Sequence, residues 1–544
     1  MNNTKTTDPK PVLLPKVIGC DTELGNFITG IERNGGTARE ASRALLSEFT
    51  GILEAQQRPV GESYSWSSRG EFWGSGGYTV MPDSAATRPI GYNPYDIGRK
   101  YLADNGGCVY IDLDHLELCT PEVTGAFEFV ACWHGMLRKT RDALNAANHR
   151  QPHGRRIHVL VNNSDGLGHS YGSHLNFLIT ESCRQRIFER KMQYLLYLAA
   201  YQVSSIIFTG QGKVGSENRQ PHVAFQISQR ADFFEQLVGM QTTYNRPIVN
   251  SRDEAHCGPG VGGNDNDTEV SKMARLHVIF YDNTLCHVST LLKVGVMQIM
   301  LSMIEAEWMN NDLILEDPLR ALAKWSHDPT LRARATLWSR SRVTAIEHQM
   351  GFLEEARRFV DQGRCDGIVP NAREIVSLWS DTLMKLQARD WVALSRRLDW
   401  VLKQSLLERA IERHPEFDWR HASIRRLDHL YSSLDFDEGL FWAYESNDSV
   451  ERLVSDEEID RLANDPPEAT RAWTRARLLR QAGSDRVNDV GWDFVELKSG
   501  FGWRQKIELS NPLAFTRDEC KSAFDPERTL EETVDVLRTL TRTL

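Results

Sequence analysis

One acidic stretch, Val109–Glu122, constrains the fold more than any other part of the sequence. Tyr110, Asp112 and Asp114 stand two positions apart, and in a β-strand such residues share one face. The intervening residues are apolar and would point to the other face. The pattern predicts a strand that runs into a Thr-Pro turn and carries oxygen-bearing side chains on one side, with Glu117 as a further carboxylate.

A second stretch near the start of the chain repeats this pattern. In Val17–Gly25, Asp21 and Glu23 are again two positions apart. Two strands that carry carboxylates form a suitable cradle for a hard cation such as Mg²⁺, which prefers oxygen ligands and shares them with phosphates. The alternative is that both stretches are amphipathic strands whose polar faces are solvated.

The remaining patterns predict an α+β fold, because strand patterns dominate the first half of the chain and helical patterns the second. The helical segments are residues 37–57, 124–148 and 181–201, and most of the chain from Val288 to about residue 427. The short apolar strands are His158–Val161, Ser205–Phe208, His222–Ile227 and Leu276–Tyr281.

Composition shifts suggest how the chain is divided. Residues 1–15 are polar and contain proline, which predicts a disordered leader. Residues 59–98 are rich in Gly, Ser, Tyr and Trp, so a long loop or lid is expected there. A polar stretch near residue 446 predicts a boundary between a main domain, 16–445, and a small C-terminal domain, 446–544.

Charge and cysteine usage limit the possible partners. The net charge of −10 gives no general footprint for nucleic acid. The nine cysteines form no CxxC pair, which fits a reducing cytoplasm better than a disulfide framework. The first residues contain no apolar segment of a signal peptide, and runs such as Met192–Tyr201 are too short to span a membrane. We therefore expect a cytoplasmic protein without nucleic-acid or membrane partners.

Further motifs carry a resemblance to a known family. They keep one order from residue 17 to about residue 515: Ile18–Gly25, Thr120–Val123, Asn162–Asp165, Ser170–His174, Phe225–Glu235, Arg246–Glu254, Arg275–Ile279, Ser289–Lys293, Leu398–Val401 and Pro466–Ala472. In these segments the chain resembles the depupylase and Pup ligase family. The resemblance implies a glutamine-synthetase-like fold, with an antiparallel sheet cradle and helices in domain 16–445, and ATP and Mg²⁺ as cofactors.

The resemblance also implies roles for the acidic residues. Asp112 matches the family's catalytic aspartate, a base in the ligases and a proposed nucleophile in the depupylases. The alternative role for Asp112 is that of a further Mg²⁺ ligand. Asp21, Tyr110 and Glu117 match positions that contact Mg²⁺, and Glu23 is an expected additional ligand.

Other matched residues point to nucleotide binding. Thr120 and Trp492 match nucleotide contacts, although core packing is the alternative for the tryptophan. Arg230 carries a planar cation suited to phosphate oxygens, and could stabilise charge during phosphoryl transfer. A surface salt bridge is its alternative. His115 and His174 are expected to be hydrogen-bonded core residues rather than ligands.

Several positions depart from the family pattern. Asp21 replaces a usual Glu, Leu116 a usual Pro, and Cys108 an Arg that touches the nucleotide. Leu175, within His174–Asn176, stands where a Glu is usual, so one acidic contact is expected to be missing. These departures concern the edges of the site, and they leave open a substrate other than Pup.

The resemblance implies an amide hydrolase or deamidase. Ala231–Glu235, Phe208–Gly210 and the long connection between Asp21 and Asp112 resemble the depupylase branch. Such an enzyme would cleave an isopeptide bond, or deamidate a C-terminal glutamine, in a small Pup-like protein or its conjugates. The alternatives are an ATP-dependent carboxylate–amine ligase that forms an acyl-phosphate, and a nucleotide-binding pseudoenzyme.

Overall fold

The computed structural model describes residues 13–31, 37–53, 97–252, 256–257, 272–498 and 504–541. The strands are β1 Ile18–Thr29, β2 Ile52–Leu53, β3 Ile97–Tyr101, β4 Cys108–Asp112, β5 His115–Cys119, β6 Arg156–Leu160, β7 Ser173–Thr180, β8 Lys213–Val214, β9 Phe225–Gln226, β10 Phe234–Gly239, β11 Arg246–Asn250, β12 Met273–Val278, β13 Ala335–Thr336, β14 Arg342–Val343, β15 Val487–Val490, β16 Phe494–Lys498 and β17 Arg504–Glu508.

The helices surround these strands and fill most of the chain after residue 286. They are α1 Ala38–Glu48, α2 Ala126–His149, α3 Glu181–Gln185, α4 Met192–Thr209, α5 His287–Glu305, α6 Pro318–Ser326, α7 Ala345–Asp361, α8 Ala372–Ala388, α9 Trp391–Ser395, α10 Asp399–Arg413, α11 Ala422–Tyr431, α12 Leu440–Glu445, α13 Asp456–Asn464, α14 Ala472–Arg486, α15 Arg517–Cys520 and α16 Leu530–Thr541. Short 3₁₀ or π turns occupy Arg186–Arg190, Ala231–Phe233, Asn311–Leu313 and Lys521–Ala523.

An eight-stranded antiparallel sheet organises the fold. Its strand order is β12-β7-β1-β5-β4-β3-β2, and β6 pairs with the far end of β1. The α+β prediction with an antiparallel sheet cradle is confirmed. In the described part of the chain, four smaller sheets lie among the helices: β8–β9, β10–β11, β13–β14 and β15–β16–β17.

The alternation along β1 separates the two faces of this sheet. Ile18, Cys20 and Leu24 are buried in the main hydrophobic core, together with residues of α2 and α5. Asp21 and Glu23 therefore lie on the opposite face. Burial of the apolar face fixes the register, because a slip of one residue would turn these carboxylates into the core.

Helix α5 is the centre of the core. Every one of its 19 residues is buried, and its length and hydropathy would also suffice to cross a membrane. Its burial within the protein is the arrangement expected of a core helix, in which an apolar surface all round the helix packs against neighbouring elements.

The acidic stretch is a hairpin, not the single strand predicted from the sequence. β4 ends at Asp112 and β5 begins at His115, so Leu113 and Asp114 form a two-residue turn. Asp114 accordingly leaves the face of Asp112, and its carboxylate accepts a 2.6 Å hydrogen bond from Arg39 Nε. The turn lacks the Asn-Gly or Asp-Gly signal of such hairpins, and Leu113 adopts φ 53° without being glycine.

Four other local predictions were wrong. The helix predicted over residues 37–57 ends at Glu48, and Ile52–Leu53 forms strand β2. Ser205–Phe208 lies inside helix α4, since a short apolar run fits a buried helix as well as a strand. The strand expected at His222–Ile227 comprises only Phe225 and Gln226. The helix predicted to begin at residue 181 and end at 201 is interrupted by a π turn at Arg186–Arg190 and reaches Thr209.

Two predicted segments fall outside the described residues. Residues 1–12 of the leader are not described, and neither are residues 54–96, which contain nearly all of the candidate lid. The division at residue 446 stays a prediction.

A buried ion cluster joins the C-terminal part of the chain to the large sheet. Glu122, just after β5, accepts hydrogen bonds from Arg471 Nε at 2.8 Å and from Arg475 Nη2 at 2.5 Å. Burial by itself would raise the pKa of Glu122, but the guanidinium groups of Arg475 and Arg471 lower it to about 2. The ionised carboxylate is therefore a stabilising partner in the folded protein.

Glu122→Gln tests this cluster. The change leaves two buried cations without their anion, and we expect a loss of about 3 kcal/mol in the free energy of unfolding at neutral pH, measured with urea. Because folding lowers the pKa of Glu122, its contribution is present above the ordinary glutamate pKa and is lost as the pH falls towards about 2. The difference between variant and wild type should shrink over that range.

Glu468→Gln is the matched control. Glu468 pairs with Arg517 in the same part of the chain, but both side chains are more than half exposed. The control should change stability by no more than about 1 kcal/mol. Equal losses in the two variants would contradict the role given to Glu122.

Candidate active site

A row of acidic residues crosses three neighbouring strands. Glu23 of β1 stands directly opposite Glu117 of β5, and Glu117 stands opposite Tyr110 of β4. Glu23 is 7 % exposed and Glu117 only 2 %. Ligand oxygens of Glu23, Asp112 and Glu117 all lie within 4.8 Å of one another. The predicted Tyr110, Asp112, Glu117 and Glu23 are thus brought together on one face.

The electrostatics of this row favour a bound cation. Burial raises the pKa of Glu117 well above its ordinary value, and the carboxylates of Asp112, Asp21 and Glu23 raise it further. Glu117 Oε2 is buried and has no hydrogen-bond partner among the described residues. A divalent cation would relieve the repulsion and satisfy that oxygen. The all-oxygen donors fit Mg²⁺ in particular.

Asp21 lies on the same face but belongs to a second group. His174 Nδ1 lies 3.3 Å from one of its oxygens, Asn176 Nδ2 donates to the other at 2.5 Å, and His277 Nε2 is 3.8 Å away. Although burial alone would raise the pKa of Asp21, the hydrogen bond and charge of His174 lower it below its ordinary value. Asp21, His174 and His277 could hold a cation through mixed oxygen and nitrogen donors.

The two histidines singled out from the sequence differ in surroundings. His115 Nδ1 lies 2.9 Å from the carbonyl oxygen of Leu24, and its ring stacks on Tyr171 with 4.4 Å between centroids. His174 instead contacts a carboxylate of the polar face. A hydrogen-bonded structural role therefore describes His115, whereas His174 lies among the candidate ligands.

A buried guanidinium accompanies the acidic row. Arg230 is fully buried, so a surface salt bridge does not describe it. Its Nη1 donates to the carbonyl oxygen of Ile279 at 2.5 Å, while Nε and Nη2 have no partner within the described part of the chain. Burial and the nearby Arg246 lower its pKa to about 9, and the negative charges of Asp282 and Glu23 oppose that change. The free donors suit an anionic oxygen such as that of a phosphate.

Two residues that were not predicted from the sequence complete this region. Arg246 lies in a quoted motif and donates to the carbonyl oxygen of Ser170 at 2.5 Å, next to Arg230 and Glu23. Asp282 accepts from the backbone N–H groups of Gln229 and Arg230 and so holds the turn that carries the arginine. Arg246 could have been found from the sequence, because it lies in one of the segments that match the family. Asp282 lies in no such segment.

The two predicted nucleotide contacts lie at the margins of the polar face. Thr120 is buried, and its hydroxyl accepts from the backbone N–H of Cys20 at 3.2 Å. Trp492 is half-buried, with its ring 5.4 Å from that of Tyr101 and 4.8 Å from the Arg475 guanidinium carbon. These contacts show packing roles, and nucleotide binding by either residue stays a prediction.

Two of the departures can now be placed. Leu175 is buried in the main core on the apolar side of β7, so this position does not face the carboxylates. Cys108 is buried opposite Cys119 on the polar face. On the next strand, the guanidinium carbon of Arg99 lies 3.7 Å above the centre of the Tyr110 ring. Although Cys108 replaces an arginine, the guanidinium of Arg99 therefore lies near the same strand.

Comparisons with known proteins agree on one family. The family described as Pup-ligase protein matches residues 16–496. A depupylase of Acidothermus cellulolyticus is 32 % identical over 519 residues, which cover 94 % of this chain and 98 % of the relative. A Pup–protein ligase of Acidimicrobium ferrooxidans is 32 % identical over 415 residues, which cover 76 % of this chain and 86 % of the relative.

Among solved structures, the Pup ligase PafA in complex with ADP superposes with a TM-score of 0.68. It is 22 % identical and covers 88 % of this chain and all of its own. That similarity establishes a shared fold.

Glu117→Ala tests whether the acidic row holds a divalent cation. Removal of the central carboxylate leaves two oxygen donors at a site that needs more, so we expect the affinity for Mn²⁺, used as a probe for Mg²⁺, to fall by about tenfold or more. Electron paramagnetic resonance of free Mn²⁺ during titration measures this affinity. Glu48→Ala, which removes a carboxylate from α1, is the control. Unchanged binding in Glu117→Ala would contradict the cation assignment.

Proposed function

We propose, on the premise that this chain belongs to the Pup-ligase protein family, that it is an ATP- and Mg²⁺-dependent enzyme of the depupylase type. Its substrate is a small Pup-like protein or a conjugate of one. The reaction is hydrolysis of an isopeptide bond or deamidation of a C-terminal glutamine. One observation carries the proposal: the Glu23–Asp112–Glu117 group lies close enough to Arg230 for the charge of Glu23 to raise the pKa of this guanidinium, whose Nε and Nη2 have no partner among the described residues.

The residues present fit a metal–nucleotide complex. Glu117 Oε2 and the Nε and Nη2 atoms of Arg230 are buried without partners in the described chain. Glu23 and Glu117 would hold Mg²⁺, with Asp21 or Tyr110 as further ligands. Arg230 would contact phosphate oxygens, and Thr120 and Trp492 would contact the rest of the nucleotide. When bound, Mg²⁺ would supply positive charge that polarises a reacting carbonyl or phosphoryl oxygen.

Asp112 is the residue proposed to react. It is the last residue of β4 and is half-buried, opposite His115. The adjoining turn is held by Arg39 Nε on the Asp114 carboxylate and by Ser42 Oγ, which donates to the Asp114 carbonyl oxygen at 2.7 Å. These bonds hold the turn beside Asp112, whose carboxylate can attack an acyl carbon or accept a proton from water or an amine.

The second candidate is a carboxylate–amine ligase that works through an acyl-phosphate. The same face would serve it, because a ligase also needs cations beside phosphates and a base for the amine. We favour the hydrolase because the similarity to the depupylase extends over almost all of both chains, whereas that to the ligase covers a smaller part of this chain. The long connection between Asp21 and Asp112 supports the same choice.

We further propose that the chain works in the cytoplasm. No disulfide joins any of the nine cysteines, all of which lie in described ranges, and all except Cys257 are buried, which suits a reducing compartment. We also retain the division into domains 16–445 and 446–544. It is supported by a second hydrophobic cluster, formed mainly by α14, β15–β17, α15 and α16.

Asp112→Asn should abolish turnover and preserve nucleotide binding. An amide keeps the shape of the side chain but cannot act as a base or an anionic nucleophile, so we expect the rate to fall by about 10³-fold or more. Turnover of a Pup-like peptide and calorimetry with ATP and Mg²⁺ measure the two properties. Asp104→Asn, an exposed residue of the turn before β4, serves as the matched control. A mutant that keeps most of the wild-type rate would show that Asp112 is not the reacting group.

The ratio of ADP to product separates hydrolase from ligase. Amide hydrolysis is downhill, so a depupylase needs nucleotide in the site but does not consume it in each cycle. We expect free amine or ammonia with far less than one ADP per product when enzyme, ATP and a Pup-like conjugate are incubated together. One ADP for each new amide bond, without cleavage, would establish the ligase. If the protein binds nucleotide but shows neither cleavage nor ligation, the pseudoenzyme alternative is supported.

A further inference from the structure

A third cluster of candidate ligand side chains lies away from the acidic row and from the group of Asp21, His174 and His277. His134 belongs to α2, His287 is the first residue of α5, and Glu445 is the last residue of α12. One ligand atom of each residue lies within 4.8 Å of the other two. Since α2 and α5 pack in the main core against the apolar face of the sheet, this cluster is not part of the candidate active site.

Both histidines present an unused nitrogen at this point. His134 and His287 are 2 % and 0 % exposed, and the Nε2 atom of each has no hydrogen-bond partner in the described ranges of the chain. The His134 ring is hydrogen-bonded to the backbone of Leu285, and Nε2 is the ring nitrogen left without a partner. His287 Nε2 lies 3.8 Å from Glu445 Oε1, beyond hydrogen-bonding distance. Buried polar atoms without partners are uncommon in native proteins, and a site for water or an ion is one explanation for them.

The cluster opens into a cavity. The cavity has a volume of about 250 Å³ and is lined by His134, Glu445, Arg138, Arg141, Phe436, Trp442 and Asp460. Arg138 is paired with Asp456 and Asp460, and Arg452 is paired with Asp456. These ion pairs offset the charges of Arg138 and Arg452, while the Arg141 guanidinium lies over the Phe436 ring. The cavity leaves room for water beside His134 and Glu445.

We propose that His134, His287 and Glu445 bind one Zn²⁺ ion, with the fourth coordination position facing the cavity. Two imidazole nitrogens and one carboxylate oxygen form a donor set typical of zinc. The ion would tie the end of α12 to α2 and to the beginning of α5. The site would therefore act as a structural clip, independent of the proposed activity.

Binding of the metal requires a defined movement of one proton. His287 Nδ1 accepts a hydrogen bond from the backbone N–H of Leu453 at 3.2 Å, so neutral His287 carries its proton on Nε2. The Nε2 proton first leaves to solvent and Nδ1 receives one from solvent, and the lone pair freed on Nε2 then binds Zn²⁺. The Leu453 hydrogen bond is then lost, because two N–H groups face each other. Metal binding thus has a local signature at Leu453.

The experiment titrates the full chain with Zn²⁺ alone while excess Mg²⁺ occupies oxygen sites. The background variant His277→Gln removes the other histidine-containing group. In that background we expect one Zn²⁺ to bind, and Co²⁺ to give the visible spectrum of a four-coordinate nitrogen–oxygen site. Adding His134→Gln or Glu445→Gln should weaken Zn²⁺ binding by about tenfold or more. Adding His149→Gln, at the exposed end of α2, should leave it unchanged.

Two features keep the test decisive. The side chain of Glu445 is 13 % exposed at a helix end, and its amide variant keeps the same shape, so it can be tested even where His134→Gln does not fold. Hydrogen exchange of the peptide containing Leu453 should become faster with Zn²⁺, but not in Glu445→Gln. Equal Zn²⁺ affinity in the background and Glu445→Gln proteins, or unchanged exchange at Leu453, would overturn the proposal.

Discussion

Repulsion among buried carboxylates on one face of the large sheet is the constraint on which the rest of the site depends. Glu23, Asp112 and Glu117 are held together because the other face of the same strands is apolar and cannot slip in register. The unfavourable free energy of holding these carboxylates together is reflected in the raised pKa of Glu117. A sheet face that holds like charges close together favours binding of a cation. Arg230 lies nearby, and its Nε and Nη2 donors, which have no partner among the described residues, can bind an anion.

Much of this face could be predicted from alternation alone. The two-residue spacing placed Asp21 with Glu23, and Tyr110 with Asp112, as the structure has them. The hairpin could not be foreseen, because its turn uses Leu113 at positive φ rather than a glycine or asparagine signal. The hairpin turn takes Asp114 away from the sheet face that carries Asp112. Glu117 nevertheless reached it, because the returning strand sets it opposite Tyr110.

Contacts between distant parts of the chain were beyond sequence reasoning. The burial of Arg230 and its support by Asp282 depend on turns that meet only in the fold. Alternation along β7 shows why Leu175 is not a lost ligand: it points into the core, whereas His174 points to Asp21. Likewise, Arg99 is close to Tyr110 only because β3 pairs with β4.

The central claim is that the acidic row and Arg230 together hold a metal–nucleotide complex. A crystal grown with ADP and Mn²⁺, with data collected at the manganese absorption edge, tests it most directly. The account predicts an anomalous peak in contact with carboxylate oxygens of Glu23 and Glu117, and a phosphate oxygen within hydrogen-bonding distance of Arg230 Nη2. Manganese bound elsewhere, with Glu117 and Arg230 unchanged and without contact to ligand, would contradict it.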